Sequence, residues 1–195
     1  MKNIAIIAAL AASVLAVPAI AADGSLSSSN SSSSMTVTTT IPKLVKISGL
    51  SDLSFSPTAA DLSNVNGTQN ATKQFCVYSN DTADGLYKIK VDGTAGSELN
   101  TGELKFGLNG PNSQVLDMGV WASDQANNAY AAGTMAPGVE RSNFKTTSGG
   151  QARPTTLNCN GGTNASLAFK LKNSGILKVT AGSYTSVLTV TVSTL

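Results

Sequence analysis

Tyr184-Thr185-Ser186-Val187-Leu188-Thr189-Val190-Thr191-Val192 alternates with a period of two. Tyr184, Ser186, Leu188, Val190 and Val192 fall on one face, and Thr185, Val187, Thr189 and Thr191 on the other. Successive side chains of a strand point to opposite faces, and β-branched residues suit a pleated surface. The stretch therefore predicts a β-strand, placed by this reading at the C-terminus, since the sequence ends at Leu195. The same period appears near the other end. Met35, Val37, Thr39 and Ile41 alternate with Thr36, Thr38 and Thr40 until Pro42, which has no amide proton to give a sheet ladder.

Between these two stretches, short apolar runs at 44–47, 53–55, 74–79, 86–91, 104–108, 115–121 and 167–171 predict further strands. Turn chemistry separates them: Asn66-Gly67, Asp84-Gly85, Asp92-Gly93, Asn109-Gly110-Pro111, Asn160-Gly161-Gly162 and Ala181-Gly182. Residues 122–154, rich in Ala, Asn, Ser and Gly, read as a long loop or weak edge strands. No window holds a helical period. Many short strands joined by glycine turns predict an all-β antiparallel sandwich or barrel.

The N-terminus reads as an address. Met1-Lys2-Asn3 is a short basic start, residues 4–17 are apolar, and Pro18 precedes Ala19-Ile20-Ala21. This is the pattern of a secretory signal peptide with cleavage after Ala21. The apolar run is short for a membrane span and the Ser-rich tract behind it carries no basic anchor, so no membrane span is expected. Residues 22–34, rich in Ser, Asn and Gly, read as a flexible lead.

Composition narrows the chemistry. The 195 residues contain no histidine, which removes imidazole metal sites and Ser-His or Cys-His nucleophile pairs. With 13 Lys+Arg against 11 Asp+Glu the net charge is +2, so no basic stripe for nucleic acid is expected. Charged residues are 12%, well under the usual quarter of a soluble domain. Ser, Thr, Asn and Gly supply the polarity instead, as in an extracellular β protein. Cys76 and Cys159 in an exported chain read as one disulfide, with two free buried thiols as the alternative.

Few residues offer catalysis. Ser142-Asn143-Phe144-Lys145 matches S-x-x-K, but the downstream S-D-N and K-T-G partners are missing and the Gly-rich surroundings do not favour the helix it needs. Asp81 and Asp84-Gly85 depart from the spacing of a calcium loop and read as a turn. Asp52, Asp61, Glu98, Glu103, Asp117, Asp124 and Glu140 are scattered, and the sequon Asn70-Ala71-Thr72 is of a kind that arises by chance in a Ser/Thr-rich chain. Trp121, Tyr78, Tyr87 and Tyr184 read as packing residues. No enzyme, cofactor or metal is expected.

The alternation at 35–41 has two readings. It is the first strand of a complete sandwich, or it leaves its own domain and adds to the open sheet of another chain. Repeated head to tail, the second arrangement does not close and gives a filament.

Cys76-Val77-Tyr78-Ser79-Asn80 followed by Leu86-Tyr87-Lys88-Ile89-Lys90-Val91 resembles the second-strand motif of chaperone–usher fimbrial pilins of the archaic and alpha types, relatives of spore-coat-U-like and colonization-factor subunits. Leu116-Asp117-Met118-Gly119-Val120-Trp121 resembles their central strand, Thr156–Ala165 their second-cysteine loop, residues 181–192 their closing strand, and Thr36–Pro42 their donor strand. The likeness covers most of 35–195. The long Ser-rich lead and the 122–154 stretch depart from it.

The resemblance implies an incomplete immunoglobulin-like β-sandwich over 43–195, completed by donor-strand complementation. It implies a donor strand over 35–42, with Met35, Val37, Thr39 and Ile41 as the inserted side chains. Leu188, Val190 and Val192 would line the acceptor groove or its edge and pair with the chaperone, and a Cys76–Cys159 bridge would brace the sheets. The implied partners are identical or related pilin subunits, a periplasmic chaperone and an outer-membrane usher. The implied route passes through the periplasm to a cell-surface pilus that supports adhesion or biofilm formation. The alternatives are a tip adhesin, or a secreted monomeric sandwich that binds a carbohydrate or a protein.

Overall fold

The computed structural model describes residues 29–98, 102–128 and 134–195. The signal peptide and its cleavage site lie outside the described residues, as does most of the lead. The chain divides into two units at the Ile41/Pro42 boundary.

In the first unit, residues 30–41 belong to no strand and are exposed. Period-two alternation fixes which side chains share a face, but a strand exists only when its amides pair with a neighbour. Residues 35–41 have the pattern of a strand without a ladder.

The second unit is all but entirely β and antiparallel. Its strands are β1 (Val45–Ser48), β2 (Thr68–Ser79), β3 (Leu86–Asp92), β4 (Phe106–Asn109), β5 (Val115–Ser123), β6 (Glu140–Lys145), β7 (Ala165–Lys172) and β8 (Thr189–Ser193). The helices α1 (Ala59–Leu62) and α2 (Asn173–Ile176) are single turns. A five-stranded sheet runs β1-β2-β7-β5-β4 and a three-stranded sheet runs β6-β3-β8. The core lies between them. Phe75 and Val77 of β2, Tyr87, Ile89 and Val91 of β3, Met118 and Val120 of β5 and Leu167, Phe169 and Leu171 of β7 meet there.

Three expectations change in detail. Residues 53–55 form no strand, although Leu53 and Phe55 are half-buried against the core. The long 122–154 stretch contains β6, an edge strand, which is the second of its two readings. Of the stretch 184–192, only 189–192 is in a strand. Thr185 instead makes a lone bridge to Asn109, exchanging both backbone hydrogen bonds at 2.8 and 2.9 Å. The chain thus touches the larger sheet at Thr185 and joins the smaller one at Thr189. A strand that changes sheets must bend between them, which breaks the regular ladder.

The Cys76–Cys159 disulfide is formed, with the Cα atoms 5.9 Å apart and 83 residues of separation. It joins β2 to the short 3-10 turn Cys159–Gly161 ahead of β7, the neighbour of β2. The bridge therefore fastens a loop to its own sheet and does not brace one sheet against the other. Beside it, buried Asn164 donates to the Val77 carbonyl at 2.9 Å and accepts from the Val77 amide at 2.8 Å. Its side chain continues the β2 ladder past the end of β7.

Trp121 is buried, but on the outer face of the larger sheet. Its neighbours along β5, Val120 and Ala122, point into the core, so it points away. The ring lies over Gly119, where a Cβ would collide with it, and Lys170 Nζ sits 4.7 Å from its centroid. Tyr87 packs on Phe144 with ring centroids 5.6 Å apart. Burial, then the charge of Asp124, raises its phenol above the ordinary value.

Candidate functional site

The second unit holds an open groove of about 940 Å³. Its floor is the inner face of the larger sheet: Leu116 and Met118 of β5 and Leu167, Phe169 and Leu171 of β7. One wall is the irregular segment 50–57, carrying Leu53 and Phe55. The other wall is the stretch from α2 through Tyr184, Ser186, Leu188 and Val190.

Sequence chemistry explains why the groove stays open. The larger sheet has five strands and the smaller has three, and β8 is the edge of the smaller sheet. Among the described residues no strand pairs with the outer edge of β8. The floor side chains come from strands whose inward positions are apolar along their whole length, so the larger sheet presents more apolar face than the smaller sheet covers. An unpaired strand edge beside an apolar floor is a template for another strand.

The residues named from sequence divide between the two units. Leu188 and Val190 line the groove. Val192 shares their face but packs on the core opposite Ile89, beyond the lining, so the groove wall ends one inward position earlier than expected. Met35, Val37 and Ile41 are exposed by 83%, 81% and 75%, and Thr39 is exposed beside them. The second unit begins firmly at Pro42. Asn80 donates to the Pro42 carbonyl at 2.9 Å, and Leu44 and Asn80 exchange hydrogen bonds. Lys43 pairs with Asp81 at 3.0 Å, and the nearly buried Asp81 also accepts the Leu195 amide at 3.1 Å.

Sequence reasoning missed the floor as a site. Leu167, Phe169 and Leu171 carried the right period, but a core face and a groove floor have the same pattern. It also missed Ser186. Among the described residues, Ser186 Oγ is the only buried side-chain oxygen or nitrogen that makes no hydrogen bond.

Ser142 and Lys145 stand on β6, a strand, so no helical turn brings them together, and Lys145 pairs with Asp84 at 3.3 Å. Among the described residues no three His, Cys, Asp or Glu side chains gather as a metal site. Among them, too, no helix is long and apolar enough to cross a membrane. A second hollow of about 320 Å³ is polar and lined by amides, among them Gln74, Gln125, Asn127 and Gln151.

No family model matches the sequence, and no curated protein matches it. Among solved structures, the chain is similar to a chain from a chaperone–tip adhesin complex of CFA/I fimbriae biogenesis, at 16% identity and a TM-score of 0.44. The match covers 76% of this chain and 41% of that one, and a similarity of this size carries no argument about what the chain does.

Proposed function

We propose that this chain is a structural subunit of a surface fibre, in which residues 35–41 of one copy complete the groove of the next. The observation that carries the reading is the pairing of two incomplete features. One is an apolar groove beside an unpaired strand edge, and the other is an exposed alternating stretch with no ladder of its own. Each large apolar side chain moved from water into such a groove gains roughly 1.5–3 kcal/mol. New main-chain hydrogen bonds along β8 would fix the register. The contact is head to tail, so it extends into a filament.

In this reading the chain is exported. A periplasmic chaperone covers the groove before assembly, and an outer-membrane usher exchanges it for the next subunit. The motif resemblance to chaperone–usher pilins supports these partners. The role is mechanical and adhesive, not enzymatic.

The test uses the exported chain, purified without partners and concentrated. We expect oligomers that grow with concentration and are blocked by a synthetic peptide of residues 34–42. A chain that stays monomeric throughout, with a melting temperature indifferent to the peptide, overturns the proposal. The polar hollow at Gln74, Gln125, Asn127 and Gln151 favours a second reading, a monomeric binding module for an uncharged polar ligand. Monomers that bind a glycan panel, and lose binding on Gln151→Ala, would establish it instead.

A further inference from the structure

We propose that Ser186 sets the register at which residues 35–41 of a second copy enter the groove, by a hydrogen bond between its hydroxyl and that of Thr39 of the second copy. The inference rests on the strand-exchange reading above and adds the position and direction of the inserted segment.

Two observations meet here. Ser186 lines the groove, yet its buried Oγ makes no hydrogen bond. Buried polar atoms are nearly always paired, so an orphan asks for a partner from outside. The exposed stretch has one polar residue in its apolar alternating set Met35, Val37, Thr39 and Ile41, namely Thr39 between Val37 and Ile41. Each feature is anomalous alone: a hydroxyl in an apolar wall, and a hydroxyl in an apolar set of inserted side chains.

Direction follows from counting. Residues directly opposite on antiparallel strands point to the same face. Placing Thr39 against Ser186 in the antiparallel sense sets Ile41 against Tyr184, Val37 against Leu188 and Met35 against Val190. All four inserted residues then meet inward-facing wall residues. The parallel sense with the same Thr39–Ser186 pair sets Met35 against Gly182, outside the alternating wall. A slip of one residue turns every inserted side chain outward. A slip of two keeps the face but buries two unpaired hydroxyls in apolar surroundings. A single buried polar pair is thus enough to select one register from several of equal apolar content.

The test compares oligomers of the exported chain with its Ser186→Ala, Thr39→Val and doubly substituted forms. A buried hydrogen bond of ordinary worth predicts that either single change speeds subunit dissociation about five- to tenfold. The double change should return to within about twofold of the original, because no orphan hydroxyl remains. Additive losses in the double form overturn the inference while leaving strand exchange intact. A cross-link reads the register directly. Thr39→Cys with Ser186→Cys should give an intermolecular disulfide, and Val37→Cys with Ser186→Cys should not. A link formed only by the second pair places the register elsewhere. A link within one chain names the chain's own segment as the occupant and overturns the second copy. Wild-type chain that forms no oligomer overturns both this inference and the reading beneath it.

Discussion

Residues 35–41 and 184–193 carry the same signal, alternation of apolar and Thr-rich faces, and they have opposite fates. In the second stretch, residues 189–193 pair with β3, and Leu188, Val190 and Val192 are half-buried on the core. The first stretch is in no strand among the described residues, and its apolar side chains are exposed. The difference teaches that period specifies a face and leaves the partner open. Val187 makes the point inside one stretch: it is 86% exposed while its neighbour Leu188 turns in.

The comparison breaks most sharply under charge. Val37→Asp should leave the stability of a lone copy within about 0.5 kcal/mol, as for an open surface site, yet abolish oligomers. Leu188→Asp should destabilise the lone copy by roughly 2–3 kcal/mol, since it forces a charge toward the core. Urea unfolding and sedimentation together measure both, and equal effects of the two substitutions on unfolding would erase the distinction drawn here.

Reduction of Cys76–Cys159 comes next. The chain-entropy model gives roughly 4.5 kcal/mol for a loop of this length. Neither Cys76 nor Cys159 lines the groove, so reduced copies that remain folded should still assemble. Loss of assembly at full folding would show that the bridge shapes the groove.

Asp81 ties the two stretches at their ends, holding Lys43 just after the first and the Leu195 amide just after the second. Asp81→Ala should cost about 1–3 kcal/mol, the penalty of leaving buried partners unpaired. Proton exchange at Leu195 should accelerate in step, and an unchanged rate would show that the clasp does not hold that end.

The smallest effect concerns β3, the strand that receives β8. Its Tyr87 phenol keeps its proton in the fold because burial raises its pKa. Below the ordinary value of about 10 the folded and unfolded chains are both protonated there and the stability is fully present. Above it the unfolded chain releases the proton first, so stability falls as pH rises. About one unit above that value the loss should be roughly 1.4 kcal/mol. Tyr87→Phe should flatten this slope in urea midpoints, and an unaltered slope would assign alkaline unfolding to other groups.

Much of the fold was legible. The runs at 44–47, 74–79, 86–91, 104–108, 115–121 and 167–171 all fall on or overlap observed strands, because β-branched alternation and glycine turns are local signals. The stretch 53–55 misled because Leu53 and Phe55 alternate as in a strand, turning toward the core without a ladder partner for their backbone among the described residues. The bend at 186–188 was hidden because it answers to two sheets at once, through Asn109 on one side and Asp92 on the other. Part of β2 was also missed, since Thr68 to Lys73 carries little apolar content.

By itself the sequence determined composition, period and phase: an all-β chain without histidine, a cysteine pair, and a closing stretch whose Leu188, Val190 and Val192 turn to one face. These depend on neighbours one or two residues apart. Only the tertiary structure decided that the larger sheet outspans the smaller, that Leu167, Phe169 and Leu171 floor a groove, and that Ser186 Oγ finds no hydrogen-bond partner among the described residues. Those facts depend on which strand edges and which buried oxygens are left over after every other segment has been placed. What is left over is a property of the whole packing, and no local period encodes it.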